Sequence, residues 1–143
     1  MSSELTKLSC EEFSSVLAAK QPVPGGGGAA AYVGALGVAL GAMVGNYTSG
    51  KKRYAAHQGD IERMIATAEE IRMRLVALVD ADADAFYPLS QAYAIPKEDP
   101  TRADVLEAAT KGALAGPLEM MRQIARAIEL LEPGASALAA AHE

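Results

Sequence analysis

The chain has 143 residues and a net charge of −5, and half of its residues are apolar although only 5% are aromatic. This length predicts one domain over residues 1–143, and the acidic balance argues against non-specific nucleic-acid binding, which needs a basic surface. Because the apolar content is mostly Ala, Leu and Val, it favours an all-α bundle of closely packed helices over a β-sandwich or β-barrel.

The sequence gives no sign of export. Cys10 is the only cysteine, which excludes an intrachain disulfide framework and does not by itself indicate a compartment. No basic segment followed by an apolar run opens the chain, so we expect no secretory signal and a cytoplasmic protein.

The first predicted helix covers about residues 10–19. Ser9 precedes Glu12 by three positions, the spacing of a capping box in which each side chain bonds the other residue's backbone amide. Pro22 and Pro24 follow and end the helix. Its apolar face is expected to bury three side chains: Phe13, Val16 and Leu17.

A glycine-rich run without charged residues follows over residues 21–50. After a predicted loop, we expect a long helix over about residues 28–49. Gly50 would close that helix in the left-handed conformation that favours glycine. The loop is expected to consist of Gly25, Gly26, Gly27 and Gly28.

This run has three interpretations. It is long enough to span a bilayer, but its many glycines make it weakly hydrophobic. A phosphate-binding loop would need a preceding strand and a Lys-Ser/Thr pair after the last glycine, and both are missing. We favour a buried central helix whose small residues allow close packing, with loop amides at its positive end that suit an anion or a developing oxyanion. The packing side would be formed by Gly34, Gly37, Gly41 and Gly45.

A basic cluster comes directly after this helix. It contains Lys51, Lys52 and Arg53, and Tyr54 follows. Cations are favoured at a helix C-terminus, so the cluster is either a solvated helix end or an anion clamp.

A second long helix is predicted over about residues 58–94. Its apolar residues recur three and four positions apart, which indicates a sustained helical seam. Pro88 lies inside this helix and should kink it. The seam consists of Ile61, Ile65, Ala68, Ile71, Leu75, Leu78, Val79, Phe86, Leu89 and Tyr93.

Three aspartates interrupt the seam at 80, 82 and 84. Successive helical residues rotate by about 100°, so Asp82 continues the apolar stripe, whereas Asp80 and Asp84 fall on the opposite side and are expected to be solvated. A carboxylate in apolar surroundings must be paired with a cation or hydrogen-bond donors, or it must take up a proton and become neutral. Asp82 is therefore a candidate general base, with a structural ion pair as the alternative.

The last predicted helix covers about residues 101–131 after a proline-bounded linker. Thr101 with Asp104 would cap it, Gly112 and Pro117 would bend it, and the Pro-Gly pair at 133–134 would end it. The alanine-rich tail at 135–142 would form further helical turns or fray. His57 and His142 lack the spacing of metal ligands, so we predict no metal site.

Several motifs, in order, resemble one known family. They are Pro24-Gly25-Gly26-Gly27, Met43, Gly50-Lys51-Lys52, Tyr54, Asp82-x-x-Ala85-Phe86, Ala92 and Ile95-Pro96-Lys97. This pattern is similar to the cyclodeaminase/cyclohydrolase family, which includes methenyltetrahydrofolate cyclohydrolases and the C-terminal part of formiminotransferase-cyclodeaminase.

The resemblance implies an all-helical homodimer that acts on a tetrahydrofolate derivative without a metal or redox cofactor. It implies that Asp82 is the catalytic carboxylate, and that Lys51 or Lys52 protonates the leaving nitrogen or holds the pterin carbonyl. Arg53 and Tyr54 would bind the substrate, with Arg53 attracting the glutamate tail, and the amides of residues 25–28 would bind pterin or carboxylate oxygens. The expected activity is a methenyltetrahydrofolate cyclohydrolase; the alternatives are a formiminotetrahydrofolate cyclodeaminase and a non-catalytic folate-binding dimer.

Two departures from the family pattern stand out. Gly28 occupies a position where the family has Ser, so the hydroxyl at that helix start is missing. The family's domain also continues with further helices, so we expect a domain that is short at its C-terminus. In addition, the glycines and lysines at the two ends of the first long helix would be about 30 Å apart, so either a second copy of the chain or the glutamate tail of the substrate would have to bridge them.

Overall fold

The computed structural model describes residues 4–140, with side chains described through residue 133. Within that part of the chain it is helical and contains no strand, which confirms the all-α prediction. Two short 3₁₀ turns, Leu5–Lys7 and Lys52–His57, precede the first helix and the third. The α-helices are α1 (Cys10–Ala18), α2 (Gly26–Thr48), α3 (Gln58–Tyr93), α4 (Arg102–Ala113) and α5 (Ala115–Ala140).

The centre of the fold is an antiparallel pair formed by α2 and α3. Gly45 of α2 lies against Ile65 of α3, and at the other end Gly28 lies against Val79. The largest fully buried side chains all belong to α3, and burying each one stabilises the fold by about 1.5–3 kcal/mol. They are Ile71, Leu75 and Val79. Small residues of α2, among them Ala31 and Ala35, face them and let the two helices pack closely.

Helix α1 begins as predicted. Ser9 Oγ accepts a hydrogen bond from the Glu12 amide at 3.1 Å, and the Ser9 amide donates to Glu12 Oε2 at 2.9 Å, which confirms the capping box. The hydrogen bond from the Ser9 amide lowers the pKa of Glu12 below its ordinary value. Phe13 is buried, but the expectation that Leu17 is buried was wrong because α1 ends one residue later, beyond the edge of the core.

The predicted glycine loop is largely helix. Gly25 is the N-cap and α2 begins at Gly26. Each glycine in a helix costs about 1 kcal/mol relative to Ala, and contacts with α3 outweigh this cost. At the other end Gly50 has a φ of +76°, which confirms the left-handed closure.

The outer face of α2 is exposed, so the helix is central but only half buried. We call the apolar side chains on this side the α2 face; Gly37 lies among them, with nothing within 4 Å of the place where its Cβ would be. By length and composition α2 could also cross a membrane, as core helices of soluble proteins could. The α2 face consists of Val33, Leu36, Leu40, Met43, Val44 and Tyr47.

The last predicted helix is two helices separated at Leu114. Pro117 lies in the first turn of α5, where a missing amide removes no helical hydrogen bond. The predicted Thr101 cap is absent; instead Asp99 Oδ1 accepts bonds from the Thr101 amide and hydroxyl at 2.8 and 2.7 Å. The predicted end at residue 133 was also wrong, because α5 continues through Pro133 to Ala140; His142 lies outside the described residues.

Candidate functional site

Asp82 lies on α3 where the first turns of two other helices converge. Its side chain is half buried. A Cβ placed on Gly27 would lie 2.5 Å from Asp82 Oδ2 and 2.7 Å from Oδ1, and one placed on Gly116 would lie 3.3 Å from Oδ1. The carboxylate therefore contacts bare backbone at the starts of both α2 and α5.

This position is electrostatically favourable for a negative charge. The N-terminus of an α-helix carries the equivalent of about half a positive elementary charge, and here two such ends face one carboxylate. Within the part of the chain whose side chains are described, no donor forms a hydrogen bond to Asp82 and no cation pairs with it. Its oxygens are thus available to a cationic or proton-donating ligand.

Gly27 is the residue of α2 that Asp82 approaches closely. Relative to Gly26→Ala, we expect Gly27→Ala to lower the free energy of unfolding by about 1 kcal/mol, the low end of the cost of overpacking, because its methyl group would overlap the carboxylate and the Asp82 side chain would have to rotate away. Thermal or urea denaturation measures the change.

Gly26→Ala is the matched control, since nothing lies within 4 Å of the Cβ position at Gly26. We expect it to be neutral or to stabilise by up to about 1 kcal/mol through helix propensity. Equal melting temperatures for the two variants would show that Asp82 does not press against Gly27.

Gly116 was missed by the sequence reasoning, which placed no functional residue on the last predicted helix. Its neighbour Pro117 carries a usable signal, because proline is common in the first turn of a helix. That signal would have located the start of α5, but not its proximity to Asp82, which depends on how α5 packs against α3.

Gly28, where the family pattern has Ser, faces Val79 of α3 and not Asp82. A Cβ there would lie 3.5 Å from the Val79 carbonyl oxygen and 3.7 Å from Val79 Cγ1, which is ordinary contact. A serine would therefore fit, and its side chain would start toward the backbone of α3 and not toward Asp82. Gly25 and Gly26 have open space where their side chains would be.

The expectation that Asp80 is solvated was wrong. Asp80 is half buried and accepts hydrogen bonds from the Leu5 and Thr6 amides and from the Thr6 hydroxyl. These donors come from the N-terminal segment, which covers the side of α3 that the helical pattern assigned to solvent. Asp84 is exposed, as predicted.

The basic cluster lies at the opposite end of α2 from Asp82. Lys51, Lys52 and Arg53 are exposed, and the Arg53 guanidinium lies 4.4 Å from the centre of the Tyr54 ring. Because α2 has 23 residues, its length is about 35 Å, and a single copy of the chain does not bring these side chains to Asp82. Within the described residues, no group of three or more His, Cys, Asp or Glu side chains could hold a metal ion.

Comparisons with known proteins match nearly the whole chain. A family model described as formiminotransferase-cyclodeaminase matches residues 9–140. A methenyltetrahydrofolate cyclohydrolase of Methylorubrum extorquens is 39% identical over 126 residues, which are 85% of this chain and 61% of that protein. A formimidoyltransferase-cyclodeaminase of Mus musculus is 34% identical over 126 residues, which are 85% of this chain and 23% of that protein.

A solved structure is also similar. The crystal structure of a formiminotetrahydrofolate cyclodeaminase from Thermotoga maritima matches with a TM-score of 0.80 and 34% identity, over 91% of this chain and 63% of that one. The chain thus spans about three fifths of the length of these two bacterial relatives and about a quarter of the mouse protein.

Proposed function

The chain belongs to the formiminotransferase-cyclodeaminase family, and from that premise we propose that it is a methenyltetrahydrofolate cyclohydrolase. The reaction adds water to the methenyl bridge and gives formyltetrahydrofolate. The observation that carries the proposal is the carboxylate of Asp82 between two helix starts, where it has no partner among the residues whose side chains are described. The similarity to the Methylorubrum cyclohydrolase supports it.

A carboxylate of this kind suits the chemistry. The methenyl carbon lies between two nitrogens that share one positive charge, and a nearby carboxylate stabilises that cation. As water forms a bond to the carbon, Asp82 accepts a proton from it. One carbon–nitrogen bond then breaks as the hydroxyl group on the carbon loses its remaining proton and becomes the formyl oxygen. The leaving nitrogen takes up one proton, the formyl group stays on the other nitrogen, and one proton is released to solvent overall. A positioned acid–base group accelerates such a step by about 10²–10⁴-fold.

A homodimer is part of the proposal, because Lys51 and Lys52 are too far from Asp82 within one copy. The α2 face is apolar and exposed, and one end of α2 is basic while the other adjoins Asp82. Gly37 lies ten residues after Gly27 and fourteen before Lys51. Antiparallel pairing of two α2 helices around Gly37 would bring the partner's Lys51 close to the start of α2, so that unlike charges meet at both ends.

The dimer can be tested at Leu40, which is 60% exposed at the middle of the α2 face. We expect Leu40→Glu to convert a dimer into a folded monomer in sedimentation experiments, because a carboxylate would be buried in an apolar contact. Val105→Glu is the control, since Val105 is 41% exposed on α4, and it should remain dimeric. A wild-type chain that sediments as a monomer would contradict the proposal. This includes a monomer whose α2 face binds phosphatidylcholine vesicles instead of a second copy of the chain.

A cyclodeaminase is the second candidate, favoured by the similarity to the Thermotoga structure. That enzyme class closes formiminotetrahydrofolate to the methenyl form and releases ammonia. Assays of the purified chain with both substrates decide between the two activities. Folate binding by calorimetry without turnover of either substrate would instead favour a non-catalytic dimer.

A further inference from the structure

Asp80 of α3 forms hydrogen bonds to the N-terminal segment, residues 4–8. Asp80 Oδ1 accepts hydrogen bonds from the amides of Leu5 at 2.7 Å and Thr6 at 3.3 Å, and Asp80 Oδ2 accepts one from the Thr6 hydroxyl at 2.5 Å. Hydrogen bonds to a charged acceptor are stronger than neutral ones. Asp80 therefore holds the 3₁₀ turn at Leu5–Lys7 against α3.

The same segment is also packed against the core. Leu5 and Leu8 contact the buried cluster and line a small cavity of about 60 Å³. The opposite walls belong to α1, α2 and α3. These walls include Phe13, Tyr32, Val76 and Val79. The segment is thus bound to the fold by polar and apolar contacts together.

These contacts act on the turn of α3 that carries Asp82. Val79 lines the cavity under the N-terminal segment, and its carbonyl oxygen lies against Gly28 at the start of α2. Residues 79–82 form a single helical turn, so this turn is held between the N-terminal segment on one side and α2 on the other.

We propose that Asp80 is a positioning residue for Asp82. By fixing the N-terminal segment to α3, it sets the distance between the Asp82 turn and the start of α2, where the carboxylate touches bare backbone at Gly27. This inference rests on the proposed function, in which Asp82 acts on the substrate. A displacement of about 1 Å in a catalytic group can lower the rate by about 100-fold.

Steady-state kinetics of matched variants tests this role. We expect Asp80→Ala to lower kcat by about tenfold or more with KM changed less than about twofold, because the substrate still binds while the carboxylate is displaced. Asp80→Asn should restore most of kcat, since the amide can accept the backbone hydrogen bonds and can donate to the Thr6 hydroxyl. Thr6→Val, which removes one of the three bonds, should lie between Asp80→Ala and the wild type.

Val38→Ala controls for loss of stability. Val38 is buried in the middle of α2, so its truncation destabilises the core without touching the N-terminal segment. Assays run well below the melting temperatures of all variants should show nearly wild-type kcat for Val38→Ala.

Three outcomes would overturn the positioning role. One is a kcat for Asp80→Ala that equals that of Val38→Ala, with the wild type active, which leaves the proposed function standing. Another is an equal loss in Asp80→Ala and Asp80→Asn, which would assign the effect to the charge of Asp80. A wild-type chain that turns over neither folate substrate would overturn both the positioning role and the proposed function.

Discussion

Replacement of Asp82 by asparagine is expected to leave the fold intact and to abolish measurable hydrolysis of methenyltetrahydrofolate. The amide is nearly isosteric, so the contact with Gly27 is kept. It carries no negative charge and accepts no proton from water, so both contributions to the reaction are lost. The expected decrease in kcat is about 10²–10⁴-fold. Loss of the methenyl absorbance over time measures turnover, and the melting temperature measures the fold.

The control for this variant must be a carboxylate outside the site. Asp80 is unsuitable because it anchors the N-terminal segment. Asp104 is exposed in the first turn of α4, and Asp104→Asn should keep wild-type turnover. Full activity of Asp82→Asn would remove this carboxylate from the mechanism, even if the chain is a cyclohydrolase.

A mixture of two inactive variants is expected to regain activity. Suppose that each site combines Asp82 of one copy with the lysines of its partner. A homodimer of Asp82→Asn then has no intact site, and neither has a homodimer of the double variant Lys51→Ala/Lys52→Ala. A heterodimer of the two restores one intact site. After random exchange half of the dimers are mixed, so about a quarter of all sites are intact.

The result depends on where the lysines act. Recovery to about a quarter of the wild-type rate after co-refolding supports a site shared across the two-fold axis. No recovery, with mixed dimers demonstrated by differently tagged copies, would mean that Asp82 and the lysines do not act at a common site on two copies. Adding Leu40→Glu to both chains should abolish the recovery, because the mixed dimer would not form.

The helices were predicted well where a local signal marks them. The capping box at Ser9 and Glu12 places the start of α1, and the apolar seam of α3 places that helix to within one residue at its end. The seam also singled out Asp82, because a carboxylate at an apolar position is visible without a structure. For the separation of α4 from α5 at Leu114, Gly112 and Pro117 predicted only a bend, because neither residue by itself distinguishes a bent helix from two helices.

The missing parts of the site depend on contacts between distant residues. Two of the three donors to Asp80 are the backbone amides of Leu5 and Thr6, which lie 75 and 74 positions earlier in the chain. Every residue except proline has such an amide, so the sequence does not mark these two. The contact between Gly116 and Asp82 likewise depends on the packing of α5 against α3. The glycines at 25–28 suggested a loop because helix propensity is a local quantity, whereas the packing that makes them helical is not.

The way the N-terminal segment and α5 meet at one turn of α3 also bears on how the chain folds. Helices α2 and α3 are neighbours in sequence, so their pairing closes only a short loop, whereas the bond from Leu5 to Asp80 spans 75 residues. The entropy lost on closing a loop grows with its length, and contacts between distant residues slow folding. The α2–α3 hairpin is therefore expected to form early, and the environment of Asp82 is completed only when both the beginning of the chain and α5 have docked.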